Sequence, residues 1–525
     1  MIAAAIISAF TSVLTSSFGF AFSFAFSILF ENFALAFLLC VAGGWIFGMM
    51  TGMVPGIHVN NIAVVLASAA AFLYGFGFSP ILLSVIILSC AVSHTFHNII
   101  PAIFLGAPGE ETVFAVLPGH KLLIAGDGMP AVRLSALGSI AAVIFSFIMI
   151  LPTAWFLSHF YPFFESKMGF ILLGLTLIVL LSEKKPSKIF FAAIVFLTAG
   201  FFGTIAFEMD GNLNPLLSVS SVSVLMPLLS GMFGVPQLIL SLFSRSEIYD
   251  VHEKSLNFSN KLFLKNVFLG TAAGAFVSWI PGVSSSVAAI LAGLFKENGI
   301  ESEFENKFEN EFENEFENKF ENNFENNVEN NVENNVENNV ENNVEKTEKT
   351  ERIKKIEKAE NESEIVLAKE YIVIVSAIST ANAVFGLLAF FAIGKSRNGA
   401  VISIRDILSG AGFPLSENGF SGEMLELFIL FYAVIMLSAF LSYFSTIRLG
   451  KIIPRIFKKL NYRAISVFVL ALLSILILLI CGSYGFVLFF VSILIGFLPV
   501  VLRVRKSNLM GVILFPVMLY FLGLR

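Results

Sequence analysis

Apolar stretches long enough to cross a bilayer recur from one end of this chain to the other, and no other feature restricts its fold so severely. They fall at about 2–29, 35–69, 80–106, 135–158, 168–182, 189–207, 215–243, 263–295, 368–394, 425–447, 464–481, 484–502 and 508–524. The runs are continuous rather than alternating, which argues for membrane helices and against a β-barrel. Of the 525 residues, 56% are hydrophobic and 14% charged, too few charges to clothe a soluble protein of this length. The expectation is an all-α polytopic protein, multi-pass in the cell (cytoplasmic) membrane. Its first segment, MIAAAIISAFTSVLTSSFGF, holds no Lys or Arg and no cleavage pattern, so residues 1–30 read as a retained N-terminal transmembrane helix.

Two segments carry a Pro-Gly break near their middle: GMMTGMVPGIHVNN at 48–61 and GAFVSWIPGVSSSV at 274–287. Each parent segment is too long for one simple crossing and too short for two. Half-length helices meeting at the tip of a re-entrant hairpin would fit. Basic residues orient the chain, because Lys and Arg favour cytoplasmic loops. Lys184, Lys185 and Lys188 form one cluster and Lys254, Lys261 and Lys265 another. The stretch RLGKIIPRIFKKLNYR at 448–463 is a third, and Arg503, Arg505 and Lys506 a fourth. All four come out cytoplasmic only if 263–295 enters and leaves from that side. Counting backwards places the 35–69 hairpin on the outer side. About five crossings then follow each hairpin, and the halves have opposite orientation, which is the organisation of an inverted-topology repeat. At a constant offset of 226, Phe37, Leu38, Gly44, Gly48, Pro55, Gly56 and Ala63 match Phe263, Leu264, Gly270, Gly274, Pro281, Gly282 and Ala289.

The resulting divisions are 31–245 for the first repeat, 246–295 for the start of the second with its hairpin, 296–365 for an insert and 366–525 for the remainder. The insert is a four-residue repeat in which Phe or Val recurs from Phe304 to Val344. Its stretch 301–365 holds 21 of the 38 acidic and 8 of the 33 basic residues, a net −13 that leaves +8 on the rest of the chain. It reads as low-complexity cytoplasmic sequence with no part in transport. The basic remainder suits cytoplasmic loops and an anionic substrate, and nothing points to nucleic acid. Cys40, Cys90 and Cys481 lie in apolar runs without a CxxC pair or a His-rich ligand set, so neither disulfide nor metal is expected.

A Pro-Gly break frees backbone groups that lipid cannot satisfy, so it belongs where protein or a wet cavity covers it. A half-helix starting there points N–H groups and partial positive charge at whatever binds. The first break, Pro55-Gly56, is followed by His58, Asn60 and Asn61. Behind the second, Pro281-Gly282, come Ser284, Ser285 and Ser286. These side chains hydrogen-bond a carboxylate or offer oxygens to a cation. Asn98 and Asn382 are expected nearby. Flanking loops add charge, acidic at Glu110 and Glu111 in one half and basic at Lys395 and Arg397 in the other, which could handle a coupling cation and neutralise an anion respectively. The chain holds no Walker sequence, GxSxG, HExxH or nucleotide fingerprint, so it is not expected to be an enzyme or to hydrolyse ATP. An intramembrane enzyme would need a paired catalytic set, and Asp127 and Asp210 sit in polar loops.

GMVPGIHVNNIAV at 52–64, FLGAPGEETVFAVLPGHKLLIAGDGMPAVRLSALGS at 104–139 and WIPGVSSSVAAILAG at 279–293 together resemble the large-permease family of tripartite tricarboxylate transporters, in its divergent archaeal-type branch. The resemblance covers most of the chain outside 296–365. It implies a secondary carrier for carboxylates that works with a small membrane subunit and an extracytoplasmic binding protein, coupled to Na+ or H+ and without a cofactor. A homodimer is a further possible assembly. The chain departs from the family pattern at His58-Val59-Asn60-Asn61, at Glu110-Glu111 and at GKSRNG, 394–399.

The alternative to a carrier is a membrane scaffold or export component that recruits partners through its insert. Deleting 301–365 separates the two: a carrier keeps solute uptake, and a scaffold loses its function.

Overall fold

The computed structural model describes residues 32–54, 59–75, 77–105, 112–183, 185–216, 223–236, 238–239, 254, 256, 258–283, 285–294, 345–396, 398–413, 422–457 and 462–524. The expected helix at 1–30 and most of the insert lie outside them. Among the described residues all regular structure is helical, and seven helices are long and apolar enough to cross a membrane.

The first half runs through α1 (Phe33–Gly52), α2 (Val59–Ser68), α3 (Ala70–Gly75), α4 (Pro80–His97), α5 (Ile99–Leu105), α6 (Val113–Ile124), α7 (Gly128–Ser166), α8 (Met168–Leu181), α9 (Pro186–Glu208) and α10 (Leu225–Leu229). The second runs through α11 (Asn260–Val277), α12 (Ser285–Leu294), α13 (Glu345–Ile393), α14 (Gly399–Gly410), α15 (Gly422–Phe457), α16 (Tyr462–Leu502) and α17 (Gly511–Phe521). Local chemistry sets several boundaries. Asn32 caps α1 by accepting from Leu35 N, and Ser79 caps α4, whose first residue is Pro80. Within α16 the chain breaks at Gly482 (φ 71°, ψ −168°), where the backbone of Asn214 fills the place a side chain would take. α16 is therefore two helices joined at a kink, matching the separate runs at 464–481 and 484–502. Bulky faces such as Phe147, Ile148 and Leu151 on α7 stay exposed, as a lipid-facing surface requires.

The two halves repeat one plan. α2 and α12 coincide at the offset of 226, Val59 with Ser285 and Ser68 with Leu294. A β-carbon on Gly44 would strike Ile86 O and Ser89 Cβ of α4. One on Gly270 would strike Ile374 O and Ala377 Cβ of α13. Four residues on, Gly48 meets Cys90 and Ser93, and Gly274 meets Ile378 and Ala381. In both halves the partner numbers rise together, so α1 runs parallel to α4 and α11 parallel to α13. The chain between each pair must return to the end from which it started, which is the path of a re-entrant segment. The expected half-length arms hold only for the second arm. α1 has 20 residues and α11 has 18, whereas α2 and α12 have 10 each. The long arm is possible because its glycine face lets two backbones touch along its length.

α7 and α15 are the equivalent long helices of the halves. Tyr432 Oη donates to Val143 O at 2.9 Å, while Gly450 packs on Val132 and Met129. Numbers rise along one helix as they fall along the other, so the two run antiparallel. Polar contacts also join each to a helix of the other pair. Ser89 and Ser438 bond between α4 and α15, and Ser376 and Ser135 between α13 and α7.

α13 starts at Glu345, inside the acidic tract, and its Glu364 pairs with Lys121. A deletion meant to spare the fold therefore stops at 344, and removing 301–344 leaves the melting temperature of the purified protein unchanged. Gly48→Leu and Gly274→Leu overfill their seams and cost about 1–3 kcal/mol each. Gly43→Leu, whose β-carbon would meet nothing within 4 Å, leaves the melting profile as it is.

Candidate functional site: the paired helix breaks

At the second break α11 ends in a short turn. Ile280 N donates to Val277 O at 3.0 Å, and Gly282 takes φ 73°, a left-handed conformation suited to glycine. Pro281 is buried, and a β-carbon on Gly282 would lie 3.3 Å from Ile513 and 3.5 Å from Leu514, so the tip rests on α17. α12 begins at Ser285. Ser285 and Ser286 are each 4% exposed, and Asn382 Nδ2 of α13 donates to Ser285 Oγ at 3.2 Å. Asn382 of α13 thus meets the start of α12 just behind the Pro281-Gly282 turn.

At the first break, Pro55, Gly56 and His58 lie outside the described residues, as do Glu110, Glu111, Ser284 and Arg397. Asn60 and Asn61 stand in the first turn of α2. The last turn of α1 leans on α4: Thr51 Oγ1 lies 3.2 Å from His94 Nδ1, and Gly52 packs against His94 and His97. Asn98 is buried at the junction of α4 and α5, and its Oδ1 has no hydrogen-bond partner among the described residues.

His94 is the site feature that a sequence comparison of the halves at the offset of 226 leaves out. The glycine seams match Cys90 to Ile378 and Ser93 to Ala381, an offset of 288, which makes His94, and not Asn98, the counterpart of Asn382. The offset grows from 226 to 288 because the second half carries the insert between α12 and α13. Asn98 corresponds to Gly386, where Asn398 Nδ2 lies 2.8 Å from the β-carbon position while its Oδ1 caps α14.

His97 is fully buried beside this break. Its Nδ1 lies 2.7 Å from Ser93 O, so that nitrogen carries the proton. Its Nε2 then accepts from Ser445 Oγ at 2.7 Å, and Ser445 accepts in turn from Trp45 Nε1.

The charged residues are engaged. Lys395 Nζ stands 3.1 Å from Glu165 Oε1. Asp127 pairs with Lys254 at 3.2 Å and with the mostly buried Lys369 at 2.7 Å, while Arg133 Nη1 donates to Lys254 O. The Asp-Gly stretch of the first half is thereby stapled to the start of the second. Asn266 Nδ2 adds a bond to the buried Glu370 at 3.1 Å. A second cluster sits where Glu183 Oε1 accepts from Arg505 N and Asn508 Nδ2.

Fold and site together define a multi-pass α-helical protein of the cell membrane, built around two helix breaks that are equivalent in its two halves. The chain belongs to the tripartite tricarboxylate transporter TctA family, whose model matches residues 38–316 and 347–511. It is similar, at 26% identity over 498 residues, to an uncharacterized protein of Methanocaldococcus jannaschii, a match that spans 92% of this chain and 99% of that protein. No solved structure matches the chain.

Because Asp127 neutralises a nearly buried lysine, Asp127→Asn leaves that charge unpaired. It is expected to cost about 3 kcal/mol of stability, read as a lowered melting temperature. Lys254→Ala, which removes a side chain that is itself half exposed, lowers it less.

Proposed function

We propose that the chain is the carrier subunit of a secondary transporter that moves a small organic anion of the carboxylate type across the cell membrane by alternating access. The observation that carries this reading is the equivalence of the two breaks, each ending a glycine-seamed arm and opening a ten-residue helix, in halves whose long helices α7 and α15 run antiparallel. Such a pair offers a site with access from either side when one half moves against the other. In this reading Pro281, Gly282, Ser284, Ser285, Ser286 and Asn382 form one half of the site. Pro55, Gly56, Asn60, Asn61 and Asn98 form the other. Lys395 and Arg397 compensate the charge of the anion. His58, Glu110 and Glu111 take part in coupling to Na+ or H+. The family is that of tripartite transporters, which supports a small membrane subunit and an extracytoplasmic binding protein as partners. The chemistry required is binding and movement, with no bond made or broken.

Purified protein in liposomes, supplied with its neighbouring subunits, tests this. Citrate or succinate uptake should follow an imposed Na+ or H+ gradient. Ser285→Ala and Asn382→Ala should each lower it about tenfold, the effect of one lost hydrogen bond in a closed site. Absence of gradient-driven uptake of any carboxylate, with full binding of partner proteins, would instead favour the scaffold.

A further inference from the structure

α7, α9, α13 and α17 all finish at one end of the molecule, and between their ends lies a cleft of about 480 Å³. Glu165, Lys395, Phe207 and Tyr520 line it, and its floor includes Pro281 of the second break. Lys395 stands immediately beyond Gly394, whose φ of 66° ends α13, and so follows the negative end of that helix. Its ion partner is Glu165, in the last turn of α7.

That last turn touches the break a second time. Trp279, two residues before Pro281 and 3% exposed, is held between Tyr161 and Phe164 of α7, with ring centroids at 6.3 and 5.5 Å, and Phe276 of its own arm at 5.9 Å. Tyr161 Oη also donates to Glu165 Oε1 at 3.3 Å. One turn of helix therefore grips the tip through aromatic rings and Lys395 through a carboxylate.

We propose that Glu165 is a tethered carboxylate that holds Lys395 when no substrate is bound, and that an arriving carboxylate takes its place and loosens the aromatic seat of Trp279. This rests on the carrier reading above and adds the means by which the site senses its anion. The exchange is one of ion partners only. Glu165 and a substrate carboxylate are chemically alike, Lys395 is 43% and Glu165 36% exposed to the cleft, and two carboxylates sharing one ammonium repel each other. The seat of Trp279 shares this turn of α7, so movement of Glu165 away from Lys395 reaches Tyr161 through their hydrogen bond and, through Tyr161, the rings around Trp279.

The chain has three tryptophans, so Trp45→Phe with Trp155→Phe leaves Trp279 as the sole emitter. In that background, full-length protein in nanodiscs is quenched with acrylamide without ligand, then titrated with citrate and succinate. Glu165→Gln should raise quenching of Trp279 in the absence of ligand and lower the half-saturating citrate concentration about fivefold, the scale of one partly exposed ion pair. Lys395→Gln should raise quenching too, but weaken citrate binding. Glu165→Asp, which keeps the charge, should resemble the parent. Unchanged quenching in Glu165→Gln, or citrate binding as weak as the parent's or weaker, overturns the proposal while leaving the carrier reading intact. If the parent binds neither citrate nor succinate, the exchange falls together with the carboxylate assignment.

Discussion

A helix interrupted inside hydrocarbon leaves N–H and C=O groups that only protein or trapped water can satisfy, and this constraint organises the whole molecule. Each Pro-Gly break must be enclosed. Enclosure is achieved by bringing a long parallel helix against the arm that precedes the break, closely enough that Gly44, Gly48, Gly270 and Gly274 have no room for a β-carbon. Around the second break, α17 lies under Gly282, and Trp279 fills the space beside it with three neighbouring rings. Apolar packing by itself gives little preference between helices in lipid, so these contacts depend on shape and on hydroxyl groups placed between helices.

The same logic accounts for the serine-rich seams. Ser89 with Ser438, Ser135 with Ser376, and Ser445 with His97 and Trp45 link helices from different halves. Each is a short-range tie, and together they hold the two halves in register. The charged staples sit nearer the helix ends, where Asp127 and Glu183 answer Lys369 and the Arg505–Asn508 turn. Glu165 differs from both. It is only partly covered, faces a cleft, and holds Lys395 there.

Together these contacts tie the two halves to each other and set where each helix ends at its break. α7, α15 and their partner helices carry the glycine seams and the serine ties. The short helices α2 and α12 follow the breaks, and the cleft beside α17 borders the second break.

Helix content, membrane residence and the paired breaks were all legible in the sequence, because each follows from local rules: apolar length, basic loops, and proline's missing N–H beside a flexible glycine. The serines behind Pro281 were legible too, whereas the bond from Asn382 to Ser285 joins residues far apart in the chain. The lengths of the arms were not legible, because α1 and α11 owe their extra turns to glycine faces whose partners lie far along the chain. Nor was the equivalence of His94 and Asn382. A long insert shifts the count between them, and only contacts between helices restore it. The pairings of Asp127 with Lys369 and of Glu165 with Lys395 are separated by hundreds of residues, and no local pattern announces them. Sequence by itself determined which segments cross or break, because solvation and backbone chemistry act on each residue where it stands. Tertiary structure alone decided which breaks, charges and rings meet, because close packing selects partners by shape across the whole chain.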